Sequence, residues 1–537
     1  MAYLLGIDVG TTRTKALIID EDGRMKALAA ERTEVVNLPD GGAVHQPESL
    51  WRSVVSVIRQ TLVHVESHEI AGVAVASFGE AGVPVDKAGR PTHPVLAWHD
   101  QRPGDTCERL VNRLGREFLY QVTGLPPNPI FSVFKILWLQ ENVPEAMARA
   151  NKWLSVDGYV NYRLSGAMVM DFTQASRTLA LDIRKGTWAT SIVEEGDIAG
   201  LLPSVVESGT VIGEVSAAAA EETGLMAHTP VVAGGHDHIC ASLAVGCTEP
   251  GYVSDSMGTA ESVLSVQATV PAQFAAGRML RFGRYVVPGR FYGAAALTAS
   301  GATLDWAVAT LAESRGKGDN GVLIDNYAAI LARAETRRPG AGGILFLPHL
   351  LGGGPPEWDP ASRGAFLGLR PCHAADDMLR AVVEGLSFEF RYLLDEIEQA
   401  TGVSSRVIRA TGGGAKNPLW LRVKAAVTGL PIEIPQVLEA TAMGAALLAG
   451  LGVGLYSTPA DAVQRTLHVA EVYEPDQSLM DTYAPIFDVY KGIYPSVSAI
   501  HRQLEQVQMR TTSEWLGSEL NAEGNAGGLR RSTGRAG

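Results

Sequence analysis

The chain has 537 residues, of which 46% are hydrophobic, and its net charge is -13 at pH 7. Because one hydrophobic core usually divides beyond ~250–300 residues, this length predicts two large domains or three smaller ones. The acidic balance argues against a nucleic-acid partner, since binding to the phosphate backbone requires clustered Lys and Arg.

Neither secretion nor membrane insertion is expected. The start of the chain reaches Asp8 without a basic segment, unlike a signal peptide. Residues 440–460 carry no charge, but glycines and Pro459 interrupt them, which favours a buried glycine-rich helix over a membrane span. No cysteine pair has CxxC or zinc-site spacing, so we expect reduced thiols in a cytoplasmic protein. The cysteines are Cys107, Cys240, Cys247 and Cys372.

In chain order, the first predicted elements are strands at residues 3–7, 15–19 and 25–30, with a hairpin turn at 21–23. A helix follows, because apolar residues then repeat at helical spacing. These are Trp51, Val54, Val55, Ile58 and Leu62. The continuous apolar run at 70–76 is typical of a buried strand.

A turn of small residues separates the first two strands. Asp8 precedes Gly10, Thr11 and Thr12, and Lys15 follows them. Such a turn lets backbone N–H groups approach phosphate oxygens, while the hydroxyls and the lysine add donors. The nearby carboxylate can hold Mg²⁺. A plain hairpin that uses glycine for its turn is the alternative interpretation.

The segment Gly-Gly-His-Asp-His at 234–238 follows an apolar run, so Asp237 is predicted at a strand end, where ligands collect in α/β folds. Phosphoryl transfer to an alcohol needs a carboxylate that takes the hydroxyl proton. The histidines could instead bind a metal, but neighbouring strand residues point to opposite faces, which makes the triplet a poor chelate. A helix cap by Asp237 also remains open.

A second strand–turn–strand pattern occupies residues 251–266, and its Gly258 and Thr259 resemble the first turn. Two such hairpins indicate a duplicated nucleotide-binding domain with a boundary near residue 249. We therefore predict domains at 1–248 and 249–505.

Two further segments are distinctive in composition. Glycines at 412–414 follow an apolar run and suit a loop where a flat ligand lies against the backbone, although a flexible turn is the simpler alternative. Residues 509–537 are polar and glycine-rich, and a disordered tail is predicted there.

Two longer segments resemble signatures of the FGGY carbohydrate kinases, which are members of the actin-like ATPase superfamily. The first is SVFKILWLQEN at 132–142, although Ile130 stands where a smaller or aromatic residue is usual. The second runs from GAFLGL at 364–369 through Asp377 to AVVE at 381–384. The resemblance covers roughly residues 3–500. It implies an α/β fold of two actin-like (ribonuclease H-like) domains with a cleft between them.

The resemblance also implies roles for single residues. Asp237 takes the position of the catalytic base, and Asp8 and Asp237 lie near Mg²⁺. ATP is held by two phosphate loops and an adenosine region, which comprise Asp8, Gly10, Thr11, Thr12, Lys15, Gly258, Thr259, Gly301, Gly413, Gly414 and Asn417. The sugar is contacted by Phe78, Glu80, Trp98, Asp100 and His238. A structural alternative places Trp98 in the core and pairs Arg102 with Asp100.

The substrate loop departs from the family members that could be compared. Xylulokinases usually show a GQMHG loop and Asp-Asn at the catalytic position, whereas glycerol kinases show Gln-Arg-Glu and Asp-Gln. This chain has Phe78, Gly79 and Glu80, then Asp237 and His238. The reaction class therefore carries over, but the substrate does not.

The prediction from sequence is an ATP- and Mg²⁺-dependent kinase for a pentulose, hexulose or alditol. Alternatives are a kinase for a non-sugar, polyol-like signal molecule, a sugar-independent ATPase of the same superfamily, and a sugar-binding sensor. Family members are often dimers, so a homodimer is left open.

Overall fold

The computed structural model describes residues 2–275, 277–311 and 327–509. The N-terminal elements, in chain order, are β1 (Tyr3–Val9), β2 (Arg13–Ile19), β3 (Met25–Arg32), β4 (Val36–Asn37), β5 (Ala43–His45), α1 (Pro47–Leu62), β6 (Ile70–Ser77), β7 (Gly82–Val85), β8 (Val95–Leu96), α2 (Gly104–Leu114), α3 (Arg116–Thr123), α4 (Ser132–Asn142), α5 (Pro144–Arg149), β9 (Lys152–Ser155), α6 (Val156–Ser165), β10 (Val169–Asp171), α7 (Phe172–Ser176), β11 (Leu181–Asp182), β12 (Thr187–Trp188), α8 (Thr190–Glu195), β13 (Ser204–Val206), β14 (Val211–Glu214), α9 (Ala217–Thr223), β15 (Pro230–His236) and α10 (Asp237–Ala244).

The remaining elements are β16 (Tyr252–Met257), β17 (Glu261–Gln267), β18 (Arg281–Arg284), β19 (Phe291–Leu297), α11 (Gly301–Leu311), α12 (Tyr327–Glu335), β20 (Leu345–Leu347), β21 (Ala365–Leu367), α13 (Ala375–Thr401), β22 (Val407–Thr411), α14 (Pro418–Thr428), β23 (Ile432–Pro435), α15 (Ala440–Gly452), α16 (Pro459–Thr466), β24 (Val469–Tyr473) and α17 (Gln477–Tyr490). A last helix covers 493–509, so Met509 is helical, whereas the rest of the predicted tail lies outside the described residues.

Two sheets share one strand order when the second is taken in reverse, from β24, and its additional edge strand β18 is set aside. The first runs β14-β15-β6-β1-β2-β3, and the second runs β18-β19-β17-β16-β22-β23-β24. In each, an antiparallel meander of three strands (β1–β3, or β16, β17 and β19) is extended by two strands parallel to its first strand. The repeated order and direction agree with the duplication expected from the two glycine hairpins.

The predicted N-terminal strands and helix are confirmed as β1, β2, β3, α1 and β6. Alternation along the strands explains the layering of the first sheet. One face, with Leu5 and Ile7, packs against α1 and α6. The opposite face, with Leu4 and Leu17, packs against α10 and α15.

Helix α15 is the uncharged segment predicted to be a buried helix, and that prediction is confirmed. It contacts β1, β6 and β15 although it follows the second sheet in the chain. A Cβ atom at Gly6 would lie 1.9 Å from the carbonyl oxygen of Ala442, and one at Gly444 would lie 1.9 Å from that of Cys240. Glycine is therefore required for the close packing of α15 on β1 and α10. Within the described ranges, no helix is both apolar and long enough to span a membrane.

Candidate active site

Three cavities lie along the edges of the two sheets. The large cavity, of ≈ 930 Å³, is bordered by Gly258, Gly301 and Gly413. The central cavity, of ≈ 190 Å³, is bordered by Asp8, Lys15 and Asp237. The third cavity, of ≈ 390 Å³, is bordered by Phe78 and Glu80. Asp237 and His238 border both the central and the third cavity, so these two spaces meet at the start of α10.

The large cavity brings together the second glycine hairpin and the glycine loop after β22. It is lined by the predicted residues Gly258, Thr259, Gly301, Gly413, Gly414 and Asn417. The N–H of Gly301 donates to the carbonyl of Gly258 over 3.1 Å. A Cβ atom at Gly301 would lie 2.5 Å from that oxygen, so α11 can begin directly on the hairpin only with glycine there.

Asn417 has a second role in the wall of the large cavity. Its Oδ1 accepts a hydrogen bond of 3.2 Å from the N–H of Trp420 and so caps α14. Its Nδ2 is buried and has no hydrogen-bond partner among the described residues. Since buried amides normally find a partner, this donor is available to a bound molecule.

The central cavity receives charged side chains from the first sheet. Asp8 and Lys15 face each other across the β1–β2 ladder, and Lys15 Nζ lies 2.5 Å from Glu439 Oε2. Burial, and secondarily the charge of Asp237, raises the pKa of Asp8 to about 8, although Lys15 opposes this shift. The carboxyl groups of Asp8, Asp237 and Glu439 therefore face one small space in which a cation would be stabilised.

The second sheet contributes uncharged side chains to the same cavity. Ser256 and Ser262 pair across the β16–β17 ladder, and both border the central cavity. The charged residues of this hairpin lie beneath it instead. Asp255 Oδ2 lies 2.5 Å from Nζ of the fully buried Lys424, which also contacts Glu261. The second hairpin is thus held by an internal ion-pair cluster.

The predicted acceptor residues, except Asp100, line the third cavity. Phe78 is buried, Trp98 is 40% exposed, and Glu80 has a left-handed backbone with φ of 61°. Lys135, from the first signature segment, donates to the carbonyls of Glu80 and Trp98, each over 3.0 Å. Burial lowers the pKa of Lys135 to about 7. This lysine therefore fixes the two loops that carry the predicted contacts.

The structure differs from the prediction that Asp100 contacts the sugar. Its side chain is fully buried and lies outside the residues that line the third cavity. Arg102 binds it through Nη2–Oδ2 at 2.7 Å and Nε–Oδ1 at 3.1 Å, and the N–H of Ala43 donates to Oδ2 over 3.2 Å. The alternative interpretation, in which Arg102 pairs with Asp100, therefore agrees with the structure, except that the pair is buried. A carboxylate satisfied on both oxygens has no orientation left for a sugar.

The residues of the first hairpin turn differ in their position relative to the three cavities. Thr11 borders the third cavity, whereas Gly10 and Thr12 border none of the three. The N–H of Gly10 donates to the carbonyl of Arg13 over 3.1 Å, which closes the turn. Gly10 therefore shapes the turn, and its role toward phosphate stays a prediction.

The third cavity also has lining residues that were not predicted, among them Arg177, His236, Arg281 and Tyr292. Nε of Arg177 donates to Oε1 of Glu80 over 2.6 Å. His236 Nδ1 lies 3.1 Å from Asp237 Oδ1, and burial lowers the pKa of His236 to about 3, so its ring is neutral. No local motif marks the two arginines, which reach the cavity through long-range packing.

A buried network positions the strand end before Asp237. Thr173 Oγ1 accepts from the N–H of His236 over 2.7 Å and donates to Asp171 Oδ1 over 2.5 Å. Asp171 also accepts from the N–H of Thr173 over 2.8 Å and caps α7. Since Asp237 is the first residue of α10, this network fixes the backbone directly before it.

The structure therefore has a large glycine-walled cavity, and a small acidic cavity that meets a third cavity with hydrogen-bonding groups. Comparison with known proteins decides the family. Residues 3–244 match the family model "FGGY family of carbohydrate kinases, N-terminal domain", and residues 253–453 match the corresponding C-terminal domain. The chain belongs to the FGGY family of carbohydrate kinases.

Its curated relatives in this family include two kinases with different acceptors. The xylulose kinase of Lactococcus lactis is 29% identical, over 94% of this chain and 99% of its own length. The glycerol kinase of Rhodospirillum rubrum is 31% identical, over 86% of this chain and 92% of its own. The crystal structure of a xylulose kinase from Rhodospirillum rubrum aligns with a TM-score of 0.85 and 25% identity, covering 93% of this chain and all of that one.

These matches establish this FGGY protein as a carbohydrate kinase with the two-domain actin-like fold. Its substrates are accordingly ATP and a small sugar or polyol. The large cavity, with its glycine walls, lies at the second sheet, where the nucleotide was predicted to bind.

Proposed function

We propose that this kinase transfers the γ-phosphoryl group of ATP to a hydroxyl group held in the third cavity, with Asp237 as the general base. The observation that carries the proposal is that Asp237 borders both the central and the third cavity. A carboxylate at this junction reaches the acceptor hydroxyl on one side and the transferring group on the other.

The acceptor oxygen forms a bond to the γ-phosphorus, the bond from that phosphorus to the ADP oxygen breaks, and the hydroxyl proton passes to Asp237. His236 lies beside Asp237, with Nδ1 3.1 Å from Asp237 Oδ1, and its ring is neutral because burial lowers its pKa to about 3. The supporting network through Thr173 holds this strand end still while the proton moves.

The donor set of the central cavity fits Mg²⁺. Asp8 and Asp237 would hold the ion, because their two carboxyl groups repel each other when both are charged. Among the described residues there is no group of three or more His, Cys, Asp or Glu side chains placed to bind a metal, so phosphate oxygens and water would complete its ligands. When bound, Mg²⁺ neutralises charge on the phosphates.

The proposed acceptors are pentuloses, hexuloses and alditols, which all present hydroxyl groups along a carbon chain. Phe78 and Trp98 supply apolar surface for the C–H side of such a molecule, while Glu80 and His238 supply polar contacts. Lys135 supports this assignment, since it holds the carbonyls of Glu80 and Trp98 in one arrangement.

The experiment that tests the proposal is ADP release from Mg-ATP across a panel of ketopentoses, ketohexoses, aldoses and alditols. We expect one class to raise the rate far above the acceptor-free rate. ADP release that is equal with and without every acceptor would support a sugar-independent ATPase. A protein that is stabilised by a sugar but releases no ADP would support a sensor.

A further inference from the structure

Two buried carboxyl groups lie next to the strand ends that carry the proposed base and the predicted acceptor loop. They belong to Asp157, in the first turn of α6, and to Asp171, which ends β10 and caps α7. Their side chains are hydrogen-bonded to each other, and only 2% and 3% of their surface is exposed. Within the described residues, neither carboxyl group has a cation as a partner, and no metal-binding cluster includes them. We call Asp157 and Asp171 the carboxyl pair.

The hydrogen bonds of Asp171 leave one of its oxygens unsatisfied. Oδ1 accepts from the N–H and the hydroxyl group of Thr173, over 2.8 and 2.5 Å, and from the N–H of Gln174 over 3.2 Å. Oδ2 is buried and has no N–H or O–H partner among the described residues. A proton between Oδ2 and Asp157 satisfies this oxygen, whereas two ionised carboxylates would offer acceptors alone.

The electrostatics of the carboxyl pair favour the same arrangement. Burial raises the pKa of both groups, and for Asp171 the charge of Asp157 raises it further. Two charged carboxylates in contact inside a protein repel each other, so such a pair keeps one proton between its members. The neighbouring thiol of Cys240 adds no charge, because burial raises its pKa well above the ordinary value.

One side of the carboxyl pair reaches the strand end before the proposed base. Thr173 Oγ1, which donates to Asp171, accepts from the N–H of His236 over 2.7 Å. A Cβ atom at Gly235 would lie 2.6 Å from this hydroxyl oxygen, so β15 can pass so close to Thr173 only with glycine there. The backbone position from which Asp237 begins α10 is therefore set by Asp171 through a single hydroxyl group.

The other side of the carboxyl pair reaches the end of β6, directly before Phe78. Ser77 Oγ donates to Asp157 Oδ1 over 3.2 Å and accepts from the N–H of Asp157 over 3.0 Å. Gln174 donates through Nε2 to the carbonyl of Ser77 over 3.1 Å. Because Ser77 and His236 are partners in the β6–β15 ladder, the carboxyl pair connects two neighbouring strand ends.

We propose that Asp157 and Asp171 share one proton and act as a positioning unit, which holds Asp237 and the loop at 78–80 in register for the transfer. This inference rests on the proposed function, because it assigns the residues that orient the same base and the same acceptor loop. Neither member of the pair lines any of the three cavities, so both act on the reaction through Ser77 and Thr173.

The test replaces first the shared proton and then the whole group. Asp171→Asn keeps an acceptor for α7 and supplies an N–H toward Asp157, so kcat with the best acceptor should stay close to that of the unaltered enzyme. Asp171→Ala removes both groups, and kcat should fall about 10- to 100-fold, since a small displacement of reacting groups has this effect. The KM for ATP should stay unchanged, because the large cavity is lined only by residues 257–422.

Asp476→Ala is the matched control. Asp476 caps α17 by accepting from the N–H of Leu479 over 2.9 Å, but it is exposed and lines none of the three cavities. Its loss should lower the Tm without lowering kcat. Thr173→Val removes only the link between the carboxyl pair and His236, and should repeat the fall in kcat even if Asp171→Ala does not fold.

Infrared difference spectra at pH 7 test the proton itself. The C=O band of one protonated carboxyl group should be present in the unaltered protein and lost in Asp171→Asn. Spectra without this difference would overturn the shared proton, and so would an Asp171→Asn enzyme that loses as much activity as Asp171→Ala. An unchanged kcat in Asp171→Ala and Thr173→Val would overturn the positioning role, as would a rise in the KM for ATP that equals the fall in kcat.

Failure of the proposed function is a separate result, since it is shown by a near-normal kcat in Asp237→Asn whatever the Asp171 variants do. In that case, or if no acceptor raises ADP release, hydrogen exchange at the N–H of His236 decides the inference. Exchange that is faster in Asp171→Ala than in Asp171→Asn would support the positioning unit. Equal exchange in the two variants would overturn it.

Discussion

The two glycine hairpins occupy equivalent positions in sheets of the same strand order, yet they distribute charge in opposite ways. On the first hairpin, the ladder pair that faces the central cavity is Asp8 and Lys15. On the second, the corresponding pair is Ser256 and Ser262. The carboxylates of that hairpin, Asp255 and Glu261, are paired instead with the buried Lys424. The first hairpin directs its charged side chains toward the central cavity, whereas the second buries its charged side chains in ion pairs.

This difference teaches how a duplicated scaffold acquires two tasks. Charges at a cavity can act on a transferring phosphoryl group but are costly to bury, as the raised pKa of Asp8 shows. Charges paired inside fix a loop against which a nucleotide can bind. We therefore expect substitutions at the first hairpin to change activity, and those at the second to change stability.

The largest expected effect is at the junction of the cavities. Asp237→Asn keeps the shape of the side chain but removes its ability to take a proton, so kcat should fall by about 10²- to 10⁴-fold. ATP binding, measured by calorimetry, should persist because the large cavity is unchanged. A variant with near-normal kcat would remove Asp237 from its proposed role.

The next test contrasts the two lysines. Lys424→Met leaves Asp255 and Glu261 without their buried partner, and should lower the free energy of unfolding by about 3–5 kcal/mol. Lys15→Met removes a half-buried pair with Glu439 and should cost about 1 kcal/mol or less, while raising the KM for ATP. Urea unfolding and ATP titration of both variants check this. Equal losses of stability in Lys424→Met and Lys15→Met would contradict the expected difference between the two hairpins.

Asp8 gives a pH-dependent prediction. Its pKa rises from the ordinary 3.8 to about 8 in the folded protein, so the folded state keeps a proton that the unfolded chain releases between these values. The contribution of Asp8 to stability therefore decreases as the pH rises through that window. Asp8→Asn should stabilise the protein increasingly from pH 5 to pH 9, and should lower activity.

Differential scanning fluorimetry of Asp8→Asn and the unaltered protein at pH 5, 7 and 9 measures this effect. Because both proteins share every other titrating group, the difference between their Tm values isolates Asp8. A difference that stays constant over this range would show that Asp8 is ionised throughout.

The last test concerns the start of α11. Gly301→Ala places a Cβ atom 2.5 Å from the carbonyl oxygen of Gly258, and should destabilise the protein by about 1–3 kcal/mol and raise the KM for ATP. Gly104→Ala is the control, since it also lies at a helix start but meets no atom within 4 Å. Urea unfolding should show a loss only for the first variant.

The elements could be predicted because their signals are local, and so could the glycine loops that line the large cavity. Hydrophobic spacing indicated α1, and the apolar run before Asp237 indicated a strand that ends at the site. Gly301 was predicted at the same cavity, and its missing side chain permits the close approach to the carbonyl oxygen of Gly258, from which a Cβ atom would lie 2.5 Å. The strand order was not predicted, because pairing depends on contacts between distant segments.

The acceptor side was predicted in part. Glu80 and Trp98 were expected from the resemblance, and both line the third cavity. Arg281 lies about 200 residues away from Glu80 in the chain, and only the β18–β19 register brings it to the same space. Asp100 was wrongly assigned to the sugar because Arg102, two residues later, binds its carboxylate internally.

The position of α15 has a consequence for the order of synthesis. The strands β1 and β6 leave the ribosome early, but the helix that covers one of their faces arrives only with residues 440–452. At ~5–20 residues per second, the part of this apolar face that α15 covers stays open for tens of seconds during translation. The N-terminal half is therefore unable to complete its own core co-translationally, and a fragment that ends before residue 440 should depend on chaperones or aggregate.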